Sequence, residues 1–149
     1  MIDLFNKHRK SFQEELVAKV SLYDYRYVRY SINYSIATSY VTEPTDLSHI
    51  ALDLRQSDGF VKLNDHLYII FLDATNDDQG IKTSTNILNK VQAKFFTKHL
   101  YMAVVTASNY RDSFQMVHDL FDLIEYALIH NMNNIVIDSS KPIRNDQLV

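Results

Sequence analysis

Arg55 and Asp58 stand three residues apart, with Lys62 four further on and the short polar run Asn64-Asp65-His66 just beyond. Arginine offers a planar fork of donors that matches a phosphate oxygen pair or the O6/N7 edge of guanine. An aspartate three positions away can accept from guanine N–H groups, and the spacing puts both at one end of a short helix, on one side. Lys62 would add a point charge for a phosphate. The same Arg-Asp spacing also describes an ordinary surface ion pair worth about 0.2–0.5 kcal/mol, so the residues alone leave both readings open. Other chemistries are poorly served. His118 and Asp122 lie four apart on an expected helix, a pattern far more common on solvated faces than at metals. His66 has no second histidine at ligand spacing.

What the chain lacks narrows the field further. There is no cysteine, which removes disulfide frameworks, thiolate nucleophiles and Cys-based zinc sites. Its two glycines, Gly59 and Gly80, are far apart, so neither a P-loop, a dinucleotide fingerprint nor a Gly-x-Ser-x-Gly elbow can be written. Fifteen Lys+Arg against eighteen Asp+Glu leave a net charge of −3, which argues against a general nucleic-acid binder. The charged first ten residues are unlike a signal peptide, and no apolar run has the length of a membrane span. A cytoplasmic location is expected, with no membrane insertion, no cofactor and no metal.

The elements that must position these residues are read from periodicity. Residues 3–20 carry Leu4, Phe5, Phe12, Leu16, Val17 and Val20 on one stripe, as in an amphipathic helix. Residues 24–41 switch to period two, with Val28, Tyr30, Ile32, Tyr34 and Ile36 on one side of an expected strand and Arg29, Ser31, Asn33 and Ser35 on a polar side. At that spacing the tyrosines read as sheet packing before they read as a base-stacking platform. Glu43-Pro44-Thr45 breaks the run. Thr45 is then expected to cap a short helix to about Arg55, with Leu47, Ile50, Ala51 and Leu54 inward. Strands follow at 60–63 and 67–72, the second apolar on both faces and therefore central. A helix is expected from Asn76-Asp77-Asp78 to about Phe96, and a strand at 100–106. A capping box of Asp112 and Gln115 opens the next helix, to about His130, with Phe114 first on its apolar stripe. A last strand is expected at 135–137.

The order α-β-α-β-β-α-β-α-β contains β-α-β-β-α-β, the ferredoxin-like arrangement: an α+β palm of the nucleotide-cyclase type, its mostly antiparallel sheet flanked by helices. No repeat or linker divides residues 1–141, and a polar tail occupies 142–149.

Arg55-Gln56-Ser57-Asp58, followed after five residues by the hairpin at Asn64, resembles the GGDEF domain family of diguanylate cyclases. There an Arg-x-x-Asp pair precedes the signature hairpin at the same distance, and a hydrophobic strand like Tyr68-Ile69-Ile70-Phe71-Leu72 follows. Leu4-Phe5-Asn6-Lys7 and Phe12-Gln13-Glu14-Glu15-Leu16 look like the family's opening Leu-Tyr-Asn-Arg and Phe-Glu-Glu-Glu-Leu, and Asn133 remains from its closing motif. The departures are as informative. Asn64-Asp65-His66-Leu67-Tyr68 occupies the Gly-Gly-Asp/Glu-Glu-Phe signature, and only the aromatic keeps its character. The first strand ends Ala37-Thr38-Ser39-Tyr40, without the family's metal-binding Asp, and residues 42–54 are too few for its usual loop and two helices. Phosphoryl transfer rests on positioning and metal charge neutralisation, so the resemblance implies a degenerate, catalytically inactive member in bacterial signalling. In the family the Arg-x-x-Asp pair binds cyclic di-GMP away from the catalytic centre. The resemblance thus implies a receptor using Arg55 and Asp58, with Lys62 as a nearby cation to help hold a phosphate, or a regulatory module that pairs with a second copy or a signalling partner without binding nucleotide.

Overall fold

The computed structural model describes residues 2–96 and 98–139. Helix α1 runs Ile2–Tyr30, ten residues past its expected end. Its buried stripe of Phe5, Phe12, Leu16 and Val20 continues through the half-buried Tyr23 and Tyr27, keeping the three-to-four spacing of a helix. The expected strand from residue 24 is therefore corrected. Its alternation straddled a boundary: Val28 and Tyr30 are exposed helical residues, whereas Tyr34 and Ile36 are buried in a strand. Ser31 makes the break. It adopts φ 57°, and its N–H donates to Tyr27 O at 2.9 Å, a left-handed helix cap.

Strand β1 (Tyr34–Val41) lies at the centre of a five-stranded sheet. Around it are β2 (Gly59–Lys62), β3 (Leu67–Asp73), β4 (Leu100–Thr106) and β5 (Val136–Asp138), in the order β2-β3-β1-β4-β5. All pairings are antiparallel except β4 with β5, and Ile36 sits between Phe71 and Val105. The α+β palm is as expected, but in its β-α-β-β-α-β core the first helix is replaced by a 3-10 turn, Ser48–Asp53.

Helix α2 (Asp77–Lys94) and the 3-10 turn Ser48–Asp53 cover one face of the sheet; α1 and α3 (Ser113–Ile129) cover the other. Both faces of β1 are consequently buried, including the side expected to be polar. The small residues there permit close helix packing. A Cβ on Gly80, in the first turn of α2, would lie 2.8 Å from Ser35 Oγ and 3.1 Å from its Cβ. Ser35 and Thr106 share a hydrogen bond of 2.7 Å beneath the helix.

The caps follow the sequence, with differences. Asn76 and Gln79 form a reciprocal capping box on α2, and Asp112 accepts from the Gln115 N–H at 2.8 Å at the start of α3. Phe114, expected inside, is 68% exposed. The expected helix after Thr45 is only the 3-10 turn. Leu47 and Ile50 are buried as expected, but Ala51 is exposed, and Thr45 Oγ1 donates back to Glu43 O rather than capping. No helix among the described residues is long and apolar enough to cross a membrane. The tail at 142–149 lies outside the described residues.

Candidate functional site

The chain leaves the 3-10 turn through Leu54 and closes a tight turn in which the Asp58 N–H donates to Arg55 O at 3.0 Å. Asp58 then fills its acceptor capacity. Its Oδ2 accepts from Arg55 N at 2.9 Å and Nε at 3.2 Å; its Oδ1 accepts from Arg55 Nη2 at 3.0 Å and from the Asp73 N–H at 2.9 Å. The Asp58 side chain is 3% exposed and that of Arg55 57%. Asp58 thus stands behind the guanidinium and aims it, leaving no acceptor for an incoming base. Hydrogen bonding to Asp58 pushes the Arg55 pKa further up, so the group is a permanent cation.

Asp73, at the end of β3, ties this turn to the rest of the molecule. Its carbonyl accepts from Arg55 Nη2, and its nearly buried carboxylate pairs with Arg26 Nη1 of α1 at 3.0 Å. Thr75 Oγ1 lies 3.4 Å from Arg55 Nη2. Tyr23 adds a second link to α1: its ring stacks on Phe71 at 4.9 Å and its hydroxyl donates to Ser57 O at 3.2 Å. Burial, then the charges of Asp73 and Asp58, push the Tyr23 phenol up, so it stays protonated and able to donate. A side chain on Gly59 would come within 2.9 Å of Tyr23 Oη and 3.2 Å of Phe71, so glycine lets β2 begin against this stack.

Beside Arg55 is a hollow of about 240 Å³, lined by Arg55, Asp58, Ala74, Thr75, Gln79 and Thr83. Ala74, at φ 49°, makes the sharp turn from β3 towards α2 that shapes it. Arg55 Nη1 makes no hydrogen bond to the described residues. The hollow offers a fixed cation edged by hydroxyl and amide groups, which suits an anion or the edge of a nucleobase.

Lys62 is not brought here. It lies at the far end of β2, opposite Tyr68, whereas Gly59 beside the site is opposite Phe71. Its ammonium pairs with Asp65 at 2.8 Å across the hairpin. The hairpin is held by its own side chains. Asn64 Oδ1 accepts from the N–H groups of His66 and Leu67, both at 2.8 Å. His66 Nδ1 lies 2.8 Å from Val41 O, and its ring stacks on Tyr40. Leu67 and Tyr68 are buried, the Tyr68 hydroxyl donating to Thr45 O at 2.7 Å.

Of the further arginines Arg26, Arg29 and Arg111, whose positions the sequence does not give, one joins this corner. Only Arg26 reaches Asp73; Arg29 is exposed at the end of α1, and Arg111 lies beside the start of α3. Tyr23, Asp73 and Thr75 were missed. The Leu16-Val20-Tyr23-Tyr27 spacing held the signal for Tyr23, but the reading of residue 24 onward as a strand hid it. His118 lies 3.3 Å from Asp122, which also pairs with Arg9 at 2.6 Å. Among the described residues no three His, Asp or Glu side chains are grouped to hold a metal.

No family model and no curated protein matches this sequence. Solved structures do. The GGDEF domain of YfiN (TpbB) from Pseudomonas aeruginosa superposes with a TM-score of 0.69 at 12% identity, over 87% of this chain and 94% of that one. The GGDEF domain of DgcB from Caulobacter crescentus, in complex with c-di-GMP, gives 0.60 at 12% identity over 89% and 91%. The diguanylate cyclase SiaD from Pseudomonas aeruginosa, in complex with its activator SiaC, gives 0.63 at 10% identity over 85% and 58%. The chain therefore has a GGDEF-like fold, as the resemblance implied.

Proposed function

We propose that this chain is a catalytically inactive GGDEF-like signalling domain, and that it receives cyclic di-GMP at the Arg55 corner. One observation carries the reading: a half-exposed guanidinium, held in one orientation by a buried carboxylate, stands at a hollow with its Nη1 free of hydrogen bonds to the described residues. Preorganisation of this kind lowers the entropy cost of gripping an anion. The hollow has room for one base or phosphate, so the rest of a cyclic dinucleotide would lie on the outer surface. Its neighbour DgcB is a c-di-GMP complex, which agrees with this ligand class. Arg55 is the ligand-facing group and Asp58 its positioning residue; Lys62, at the other end of β2 and paired with Asp65, lies outside the hollow.

Inactivity is supported by the use of the hairpin side chains. Asn64 and His66 hold the turn, Leu67 and Tyr68 fill the core, and Asp65 pairs with Lys62. None of these is a glycine that would let a triphosphate approach the backbone.

Calorimetric titration with cyclic di-GMP tests the receptor. Saturable heat on the parent that disappears in Arg55→Ala supports it; no heat on the parent rejects it. Incubation with GTP and Mg²⁺ should yield no cyclic product, and turnover abolished by Asp65→Ala would overturn the inactive assignment. The second reading, a regulatory module without nucleotide, is favoured by the exposed apolar residues of α1. The SiaD–SiaC complex is a precedent for a GGDEF-fold protein with a protein partner.

A further inference from the structure

The outward face of α1 is unusual for its composition. Leu22 is 64% exposed, Tyr25 56% and Val28 75%, all within two turns of one helix whose opposite side is buried on the sheet. Scattered exposed apolar residues need no explanation, but a contiguous helical seam does. Ala18, Leu22, Tyr25 and Arg29 follow one another at four, three and four residues, the spacing of a helix-pairing seam, and Glu15 continues it three residues before Ala18. Glu15 and Arg29 are exposed, and neither makes an ion pair among the described residues.

We propose that this face binds a second copy of the chain, α1 against α1, antiparallel, with the two-fold axis at Leu22. The charge pattern selects this occupant. Glu15 and Arg29 lie seven residues either side of Leu22, so in an antiparallel pair each Glu15 meets the other copy's Arg29, twice. A parallel pair would set Glu15 on Glu15 and Arg29 on Arg29. The seam is self-complementary in size as well: Ala18 falls opposite the Tyr25–Arg26 segment of the other copy, a small residue facing a large ring, while Leu22 meets Leu22. These are the requirements of an isologous two-fold contact. One helix pair over about four turns is smaller than a standard interface, so the dimer dissociates on dilution. The site at Arg55 takes no part, and the inference stands or falls apart from the receptor reading.

Sedimentation equilibrium of the full chain over a dilution series, without ligand, is the test. The parent should show a reversible monomer–dimer equilibrium. Leu22→Glu, which sets two carboxylates together on the axis, should weaken it by about a hundredfold or more while leaving the circular dichroism spectrum unchanged. Because the chain has no cysteine, orientation can be read directly. Under mild oxidation Leu22→Cys should link to itself. Glu15→Cys and Arg29→Cys should link in a mixture but not alone, since about 20 Å would separate identical positions. A parent that stays monomeric throughout, a dimer indifferent to Leu22→Glu, or Glu15→Cys linking to itself as fast as to Arg29→Cys would each overturn the proposal.

Discussion

Asp58 accepts four hydrogen bonds, two from the Arg55 side chain and two from backbone N–H groups on separate segments. Its removal strands more than a surface pair would. Asp58→Ala is expected to cost about 2–4 kcal/mol, because backbone donors of Arg55 and Asp73 and a cation lose their acceptor together. Arg55→Ala should cost less, about 1 kcal/mol, since the carboxylate keeps both backbone donors. Urea denaturation of the two variants checks the order, and equal costs would show that Asp58 has no structural role beyond its ion pair. His49 behaves differently. Both its ring nitrogens are buried without a hydrogen-bond partner, and its ring lies 5.8 Å from that of Phe95. Burial, and then Lys94, hold its pKa below 6.5, while Asp53 and Asp46 oppose them. The unfolded chain takes up this proton more readily, so His49's contribution is complete above pH 6.5 and is lost as pH falls below that value. Unfolding free energies at pH 7 and pH 5.5 should differ more for the parent than for His49→Phe; identical pH slopes would exclude His49 as the source.

At the scale of the element, the length of α1 decides what the site contains. Had the helix stopped near Val20, Tyr23 and Arg26 could not have reached the Arg55 turn. The strands β3 and β4 were legible because an apolar run too short for a helix and flanked by turn residues has few alternatives. The end of α1 was not, because Val28, Tyr30, Ile32, Tyr34 and Ile36 alternate across a helix–strand junction and β propensity favours each of them. The packing of Tyr23 and Tyr27 onto the sheet overrides that preference. Ser31 carries the consequence, a serine in the left-handed conformation that favours glycine. Ser31→Gly should therefore stabilise the fold by about 0.5–1 kcal/mol, read as a raised urea midpoint with unchanged slope. A lowered midpoint would mean that α1 does not end there.

Across the whole molecule, two helical layers bury both faces of the sheet, and the corner at Arg55 lies where the β3–α2 connection meets α1. The succession of β3, α2 and β4 and the Arg55–Asp58 pair were visible in the sequence because each is local, whereas the expected first crossover helix is only a 3-10 turn. The partners of that pair were not visible, since Arg26 and Asp73 converge only once a helix and a strand distant in the chain are packed together. Lys62 shows the converse: near in sequence, it lies at the far end of β2, where it pairs with Asp65. A ligand that binds only the folded chain stabilises it by about 2.7 kcal/mol at a hundredfold excess over its dissociation constant. For a domain of this length that corresponds to a rise of roughly 5–10 °C in melting temperature. Cyclic di-GMP should produce this shift in the parent and none in Arg55→Ala. Lys62→Ala is the discriminating variant. If the ligand sits in the hollow beside Arg55, Lys62→Ala keeps the full shift; if it bridges Arg55 and the hairpin, the shift falls with the lysine, and scanning calorimetry of the three proteins decides between the two placements.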